Sequence, residues 1–422
     1  MIFNSKNEKF IFYNFPVILF SLIPFFLITG PFLSDLSISL ISLIFLFYCL
    51  KKKNFSHFKN KYFYFFLFFW FYLIFNTFIN NFNFDSLKIS FFYFRFGVFV
   101  IAIVALLKTD YKFIKYFFYC IFICFTILII DGFYQYFVGK NIIGYKTPTS
   151  FRVSSFFHDE MILGSYLSRL WPIFFGLSIF IFKQKDKLFL PFILIFILSE
   201  ALIFLSGDRS AFFYINLSAI FVILFSEKLL KLRLITLFSS ILLIVIISFI
   251  NPTAKQRVFD QTLKGMNLSQ ENKLEKDKVY IFTKVHNDIY ISAYKMFLDN
   301  KILGVGVKNF RKICNDERYY INGKKLCTTH PHNTYLQILT ETGIVGFSFL
   351  IIALLHFCKF VFKHLILKFK RIYFFNDFEI CVLSGIAIHL WPFIPTGSIF
   401  SNWLIITIII NLPFLIWSRR LI

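Results

Sequence analysis

Two histidines stand in His330-Pro331-His332, where the longest polar stretch of the chain, roughly residues 251–329, gives way to an apolar run. An imidazole ordinarily titrates near neutrality, so a neutral histidine there is a candidate base for a hydroxyl proton. His332 takes first place. It sits at a helix start reached from both water and lipid, where the positive end of the helix dipole disfavours imidazolium. His330 is the second candidate. Behind them Asn333, Gln337 and Glu341 recur at i, i+4 and i+8, a polar stripe on a helix otherwise carrying Tyr335, Leu336, Ile338 and Leu339. Polar groups entering a membrane are costly, so the stripe is expected to face protein or water, with Tyr335, Gln337 and Glu341 as candidate substrate contacts.

A second group is cationic. Ser206-Gly207-Asp208-Arg209-Ser210-Ala211 ends an apolar run in a tight turn. The planar fork of Arg209 suits phosphate and could hold a lipid-linked pyrophosphate at headgroup depth; the plainer reading is an arginine snorkelling to the interface. Arg152 and Arg311 are supporting cations, each also readable as a solvated loop charge. Arg95 lies inside an apolar run and is either functional or a buried structural ion pair, with Asp131 and Gln135 as candidate partners or as the lining of a cavity; Arg169 is similar. His158, Asp159 and Glu160 suggest metal, but their spacing matches no metal motif and neither H-E-x-x-H nor C-x-x-C occurs, so no metal and no cofactor is expected. There is no P-loop, no G-x-G-x-x-G and no serine or cysteine nucleophile motif. Of seven cysteines, only Cys314 and Cys327 lie in the large polar stretch, flanking Asn322-Gly323. They are disulfide candidates if that stretch is extracytoplasmic, or else two free thiols.

The elements that must position these residues are membrane helices. The 422 residues are 58% hydrophobic and include 67 phenylalanines. Runs near twenty apolar residues, long enough for ~30 Å of hydrocarbon, recur throughout. They are continuous rather than alternating, which excludes a β-barrel. The fold class is an all-α polytopic membrane protein with about twelve spans, at roughly 11–30, 31–50, 62–80, 87–107, 113–138, 161–182, 188–206, 210–226, 234–250, 333–356, 378–396 and 399–417. Residues 1–422 read as one integral-membrane domain. A large loop at 251–332 lies between spans nine and ten, with short interfacial helices expected in it, and a smaller loop spans 139–160. No cleavable signal peptide is evident. Lysine and arginine crowd alternate short loops, which puts both termini in the cytoplasm and both long loops outside. The net charge of +23 is spread over those loops, so nucleic acid is not an expected partner.

His332-Asn333-x-Tyr335-Leu336-Gln337 with Glu341-x-Gly343 and Gly346, Ser206-Gly207-x-Arg209-x-Ala211, and Gly304-x-Gly306 with Asn309-Phe310 resemble the signature of the O-antigen ligase / O-antigen polymerase superfamily. The motifs cover roughly residues 120–350, and the topology fits over the whole chain. The resemblance implies a multi-pass bacterial inner-membrane glycosyltransferase, inverting and metal-independent. It would use a glycan on undecaprenyl pyrophosphate at the periplasmic face. A ligase moves the glycan to lipid A-core oligosaccharide in lipopolysaccharide biosynthesis; a polymerase moves it to another lipid-linked repeat. Carried over, His332 would activate the acceptor hydroxyl and Arg209 would hold the pyrophosphate, with Arg152 and Arg311 in support. Asp208 departs from the family pattern, and an Asp208–Arg209 pair would partly neutralise the phosphate site. The ligase is the favoured reading. A transporter or flippase for lipid-linked saccharide is the alternative from another class, but its polar groups belong at the membrane midplane, whereas these cluster at one face.

Overall fold

The computed structural model describes residues 1, 3–80, 83–149, 152–182, 190–250, 252–268, 279–372 and 374–420. Lys183, Lys185, Lys187 and Asn251 lie outside the described residues. The chain is almost wholly helical: α1 Lys6–Ile28, α2 Pro31–Lys51, α3 Lys61–Ile79, α4 Phe84–Thr109, α5 Tyr111–Val138, α6 Leu163–Phe182, α7 Leu190–Leu205, α8 Arg209–Phe225, α9 Leu230–Ile250, α10 Lys284–Asp299, α11 Thr334–Phe369, α12 Asp377–Leu390 and α13 Asn402–Arg419. Among the described residues nine of these are long and apolar enough to cross a membrane. The runs expected at 188–206, 210–226 and 378–396 fold as helices of 16, 17 and 14 residues. The last stops at Leu390 because Pro392 and Pro395 supply no backbone N–H and push the preceding residues out of helical geometry.

Burial concentrates on the second half of α4 and on α6, α7 and α12, and α6 packs against α8 and α12. The two ends of the bundle differ. One carries Glu8 paired to Lys51 and Lys52, the Asp110 turn, and Asp377 receiving the Glu227 and Lys228 N–H groups. The other carries the polar stretch and both histidines of the His-Pro-His motif.

Two buried arginines sit inside the bundle. Arg233 Nη1 lies 2.6 Å from Glu200 Oε1, and its guanidinium rests 4.5 Å from the Trp171 ring centroid. Removing one partner of such a pair leaves an uncompensated charge in apolar surroundings. Glu200→Ala is therefore expected to destabilise the fold by ~3–5 kcal/mol, read as a lowered midpoint in thermal unfolding of the detergent-solubilised protein. The other, Arg169, donates to Thr396 Oγ1 at 3.4 Å, contacts His389 Nδ1 at 2.6 Å and lies over the Tyr214 ring.

Arg95 has a partner other than those expected. Its Nε and Nη2 hold Asp35 Oδ1 at 3.0 and 2.7 Å, and Nη2 also reaches Asn402. Asp131 and Gln135 instead fasten the 139–157 loop: Asp131 accepts from Ile142 N–H and Ser155 Oγ, and Gln135 Oε1 accepts from the Ser154 and Ser155 N–H groups. Arg95 thus forms a helix-to-helix ion pair with Asp35, and the expectation that Asp131 and Gln135 are its partners is corrected accordingly.

Candidate active site

Glycines decide how the long polar stretch meets the membrane helices. Gly343 interrupts α11 at φ 64°, ψ −168°, a conformation essentially confined to glycine. Residues 334–342 therefore form a short helix set off from the long one that follows. Residues 301–306 dock into that break: Val305 N–H bonds Thr340 O, Gly306 N–H bonds Glu341 O, and Ile344 N–H bonds Lys301 O. A Cβ on Gly343 would collide with the Ile302 carbonyl, and one on Gly304 with the Gly343 and Glu341 backbone. From the other side, Ser86 Oγ bonds Val307 O and Asn83 reaches Asn309. The Gly304-x-Gly306 and Gly343 motifs are thus two halves of one backbone joint. Gly343→Ala is expected to destabilise by ~1–3 kcal/mol or more and to lower activity with it, measured by thermal unfolding beside a turnover assay.

The loop beyond the joint has its own core. Ile289, Tyr290, Ala293 and Met296 of α10 pack with Val305, Phe310, Cys314 and Tyr319, and Leu336 of α11 joins them. Cys314 and Cys327 are bonded, their Cα atoms 5.1 Å apart. This cross-link closes the hairpin that delivers the chain to His330.

Three histidines meet on this platform. The His330 and His332 ring centroids are 4.2 Å apart, and the His286 ring of α10 lies 5.8 Å from His332, nearly perpendicular to it. His332 takes a left-handed φ of 56°, uncommon for a side chain other than glycine. Two donors hold its carbonyl there, Thr396 N–H at 2.8 Å and Tyr290 Oη at 3.3 Å. His286 Nδ1 shares a hydrogen with Thr283 Oγ1 at 2.7 Å, and His330 Nε2 lies 3.3 Å from Thr396 O.

Burial pushes all three imidazoles below their ordinary range. His330 and His286 fall to about 4, each helped by the neighbouring charge of His332, and His286 further by Arg209. His332 is lowered by burial alone. A lowered imidazole stays neutral, and so able to accept a proton, at pH values where a free one is already half charged. Turnover is therefore expected to hold up below the ~6.5 of an unperturbed histidine. It falls as pH drops through the depressed value; the acid limb of a kcat/KM profile measures it.

Three arginines meet beside the histidines. Arg152 Nε donates to Ser206 O at 2.9 Å. Gly207 sits at φ 62°, and a Cβ there would lie 3.2 Å from the Cγ atoms of both Arg152 and Arg257, so glycine lets the two stems cross the turn. Arg209 opens α8 and reaches Thr262 Oγ1 at 3.4 Å. Arg257 holds Gln261 through Nη1, while its buried Nε has no partner among the described residues. Asp208 has two uses: its Oδ1 caps α8 by accepting from Ala211 N–H, and its charge acts on both Arg209 and Arg152. Like charges converging beside a single, capping carboxylate favour an anion between them.

Several expected contacts have other work. Tyr335 Oη bonds the Leu390 carbonyl. Gln337 bonds Ser398 Oγ, Ile399 N–H and Glu341, which is buried. These side chains fix the 391–401 loop, whose Thr396 in turn holds His330, His332 and Arg169. Through these bonds to protein groups the three side chains position the loop that holds the histidines. Arg311 stays exposed on the hairpin, its charge felt at His330. His158 pairs with Asp159 and stacks edge-on against Tyr145, and among the described residues no cluster of three or more His, Cys, Asp or Glu side chains is arranged to hold a metal.

Sequence reasoning missed His286 and Arg257. His286 was findable: it leads the amphipathic stripe that continues through Ile289, Tyr290, Ala293 and Met296 at helical spacing. Arg257 stands among many polar residues and carried no local signal.

The three histidines, Arg209 and Arg257 all lie between residues 192 and 351, and Arg152 and the 391–401 loop lie outside that segment. No curated protein matches the sequence. Residues 192–351 match the family described as O-antigen ligase, which supports placing the chain in the O-antigen ligase and polymerase superfamily.

Proposed function

We propose that this chain is a ligase-type glycosyltransferase of the bacterial inner membrane, moving a glycan from undecaprenyl pyrophosphate to lipid A-core oligosaccharide. The lysine- and arginine-rich end of the bundle faces the cytoplasm, by the positive-inside rule, and the histidines face the periplasm. His332 takes the proton of the acceptor hydroxyl, with His330 and His286 beside it keeping the imidazole in place. The freed oxygen attacks the anomeric carbon as the bond to the pyrophosphate oxygen breaks, with inversion. Undecaprenyl pyrophosphate leaves with the negative charge, which Arg209, Arg152 and Arg257 receive. The donor is already activated, so binding its charge, orienting the acceptor and removing one proton suffice.

The observation that carries this reading is the placing of a three-histidine cluster and a three-arginine cluster at one end of the bundle, where the charges of His332 and Arg209 both lower the His286 imidazole. The test supplies purified protein in liposomes with an undecaprenyl-pyrophosphate-linked glycan and two acceptors in parallel. Glycan on lipid A-core, insensitive to EDTA, supports the ligase. Extension of a lipid-linked repeat instead makes the chain a polymerase. Movement of intact donor across the bilayer without transfer makes it a transporter.

A further inference from the structure

At the end of the bundle remote from the histidines, the connector between α2 and α3 folds over α4 and leaves a cavity of about 240 Å³. Its rim carries Ser56, His57, Lys59 and Asn60 from the connector and Lys108 from the end of α4, over an apolar floor that includes Val104. The connector is held in shape by Asn60, whose amide donates to His57 O at 3.1 Å while its oxygen caps α3 through Phe63 N–H. Among the described residues no carboxylate lines the cavity. Of the nearby acids, Glu8 is taken by Lys51 and Lys52, and Asp110 caps the turn at Lys112. The neighbours that, after burial, depress the His57 imidazole are cations as well, the Met1 ammonium and Lys108.

A cationic rim, a hydroxyl and an apolar floor at a helix end match one chemistry, a phosphate diester attached to a lipid. The volume is below the ~300–1,000 Å³ of drug-sized sites, which suits a headgroup and not a whole glycolipid substrate. Basic recesses between membrane helices at a leaflet surface bind anionic headgroups in this way. We propose that this cavity binds the phosphate of an anionic glycerophospholipid from the leaflet opposite the histidine site. The separation is about the 28 Å length of α3, from Lys61 beside the cavity to Ile79 beside the 300–310 loop. The site is therefore separate from the transfer chemistry.

Native mass spectrometry of the full-length protein, delipidated and then exposed to equal phosphatidylglycerol and phosphatidylcholine, tests it. Wild type is expected to retain phosphatidylglycerol preferentially. Lys59→Ala/Lys108→Ala is expected to lower that retention about tenfold or more. Lys59→Arg, which keeps the charge, and Lys53→Ala, outside the cavity, are expected to leave it unchanged. Inorganic phosphate in a competition arm should displace the lipid only at far higher concentration; displacement at equal concentration would make free phosphate the ligand and overturn the lipid assignment. Equal retention of the two lipids by wild type overturns the proposal without recourse to any variant, and so does a folded double variant that binds like wild type.

Discussion

Replacing His332 by alanine is expected to lower glycan transfer by ~10²–10⁴-fold while leaving the protein folded. The size follows from the role: a positioned base contributes about that much when it removes a proton in the transition state. The site argues that neither neighbour takes over fully. His330 is turned toward the Thr396 carbonyl, and His286 toward Thr283. Only His332 combines partial exposure with a backbone clamped by donors from two separate elements. His332→Gln, close in shape but unable to take a proton at working pH, should be as inactive as the alanine variant. If lost packing were the cause, glutamine would restore activity. A glycan-transfer time course on both variants, with thermal unfolding alongside, separates the two causes.

The second large effect belongs to Arg209. Arg209→Ala is expected to cost ~10²–10³-fold in transfer, the range seen when one preorganised stabiliser of developing charge is removed. Arg152 and Arg257 remain, so the loss stays short of complete. Arg209→Lys should recover only part, because an ammonium keeps the charge but not the planar fork that engages two phosphate oxygens. Donor affinity is expected to weaken together with turnover in Arg209→Ala, whereas His332→Ala should leave donor affinity unchanged. Titration of the lipid-pyrophosphate donor against each variant reads this difference.

The membrane architecture was legible because apolar run length translates directly into helices. Among the described residues all twelve expected runs carry a helix, and the one expected at 378–396 stops early because of the prolines after Leu390. The His-Pro-His motif, the arginine turn and the paired glycines were legible as types and spacings. Their physical meaning was less so. Gly304 and Gly343 are 39 positions apart, and only the folded chain brings them into backbone contact. Tyr335, Gln337 and Glu341 read as a polar face awaiting a ligand, since a stripe on one helix says nothing of the 391–401 loop that covers it. Arg95 was given partners from the wrong helix for the same reason, as pairing across a bundle is set by helix order in space. His286 and Arg257 come from a polar stretch whose composition alone marks neither.

The central claim is that one end of the bundle joins a proton-accepting histidine to a cationic pyrophosphate site. The most direct measurement takes wild type and His332→Ala in the same liposomes and records both donor binding and glycan transfer to lipid A-core. The account predicts equal donor binding, with transfer lost only in the variant. A folded His332→Ala protein that transfers glycan at the wild-type rate would contradict it.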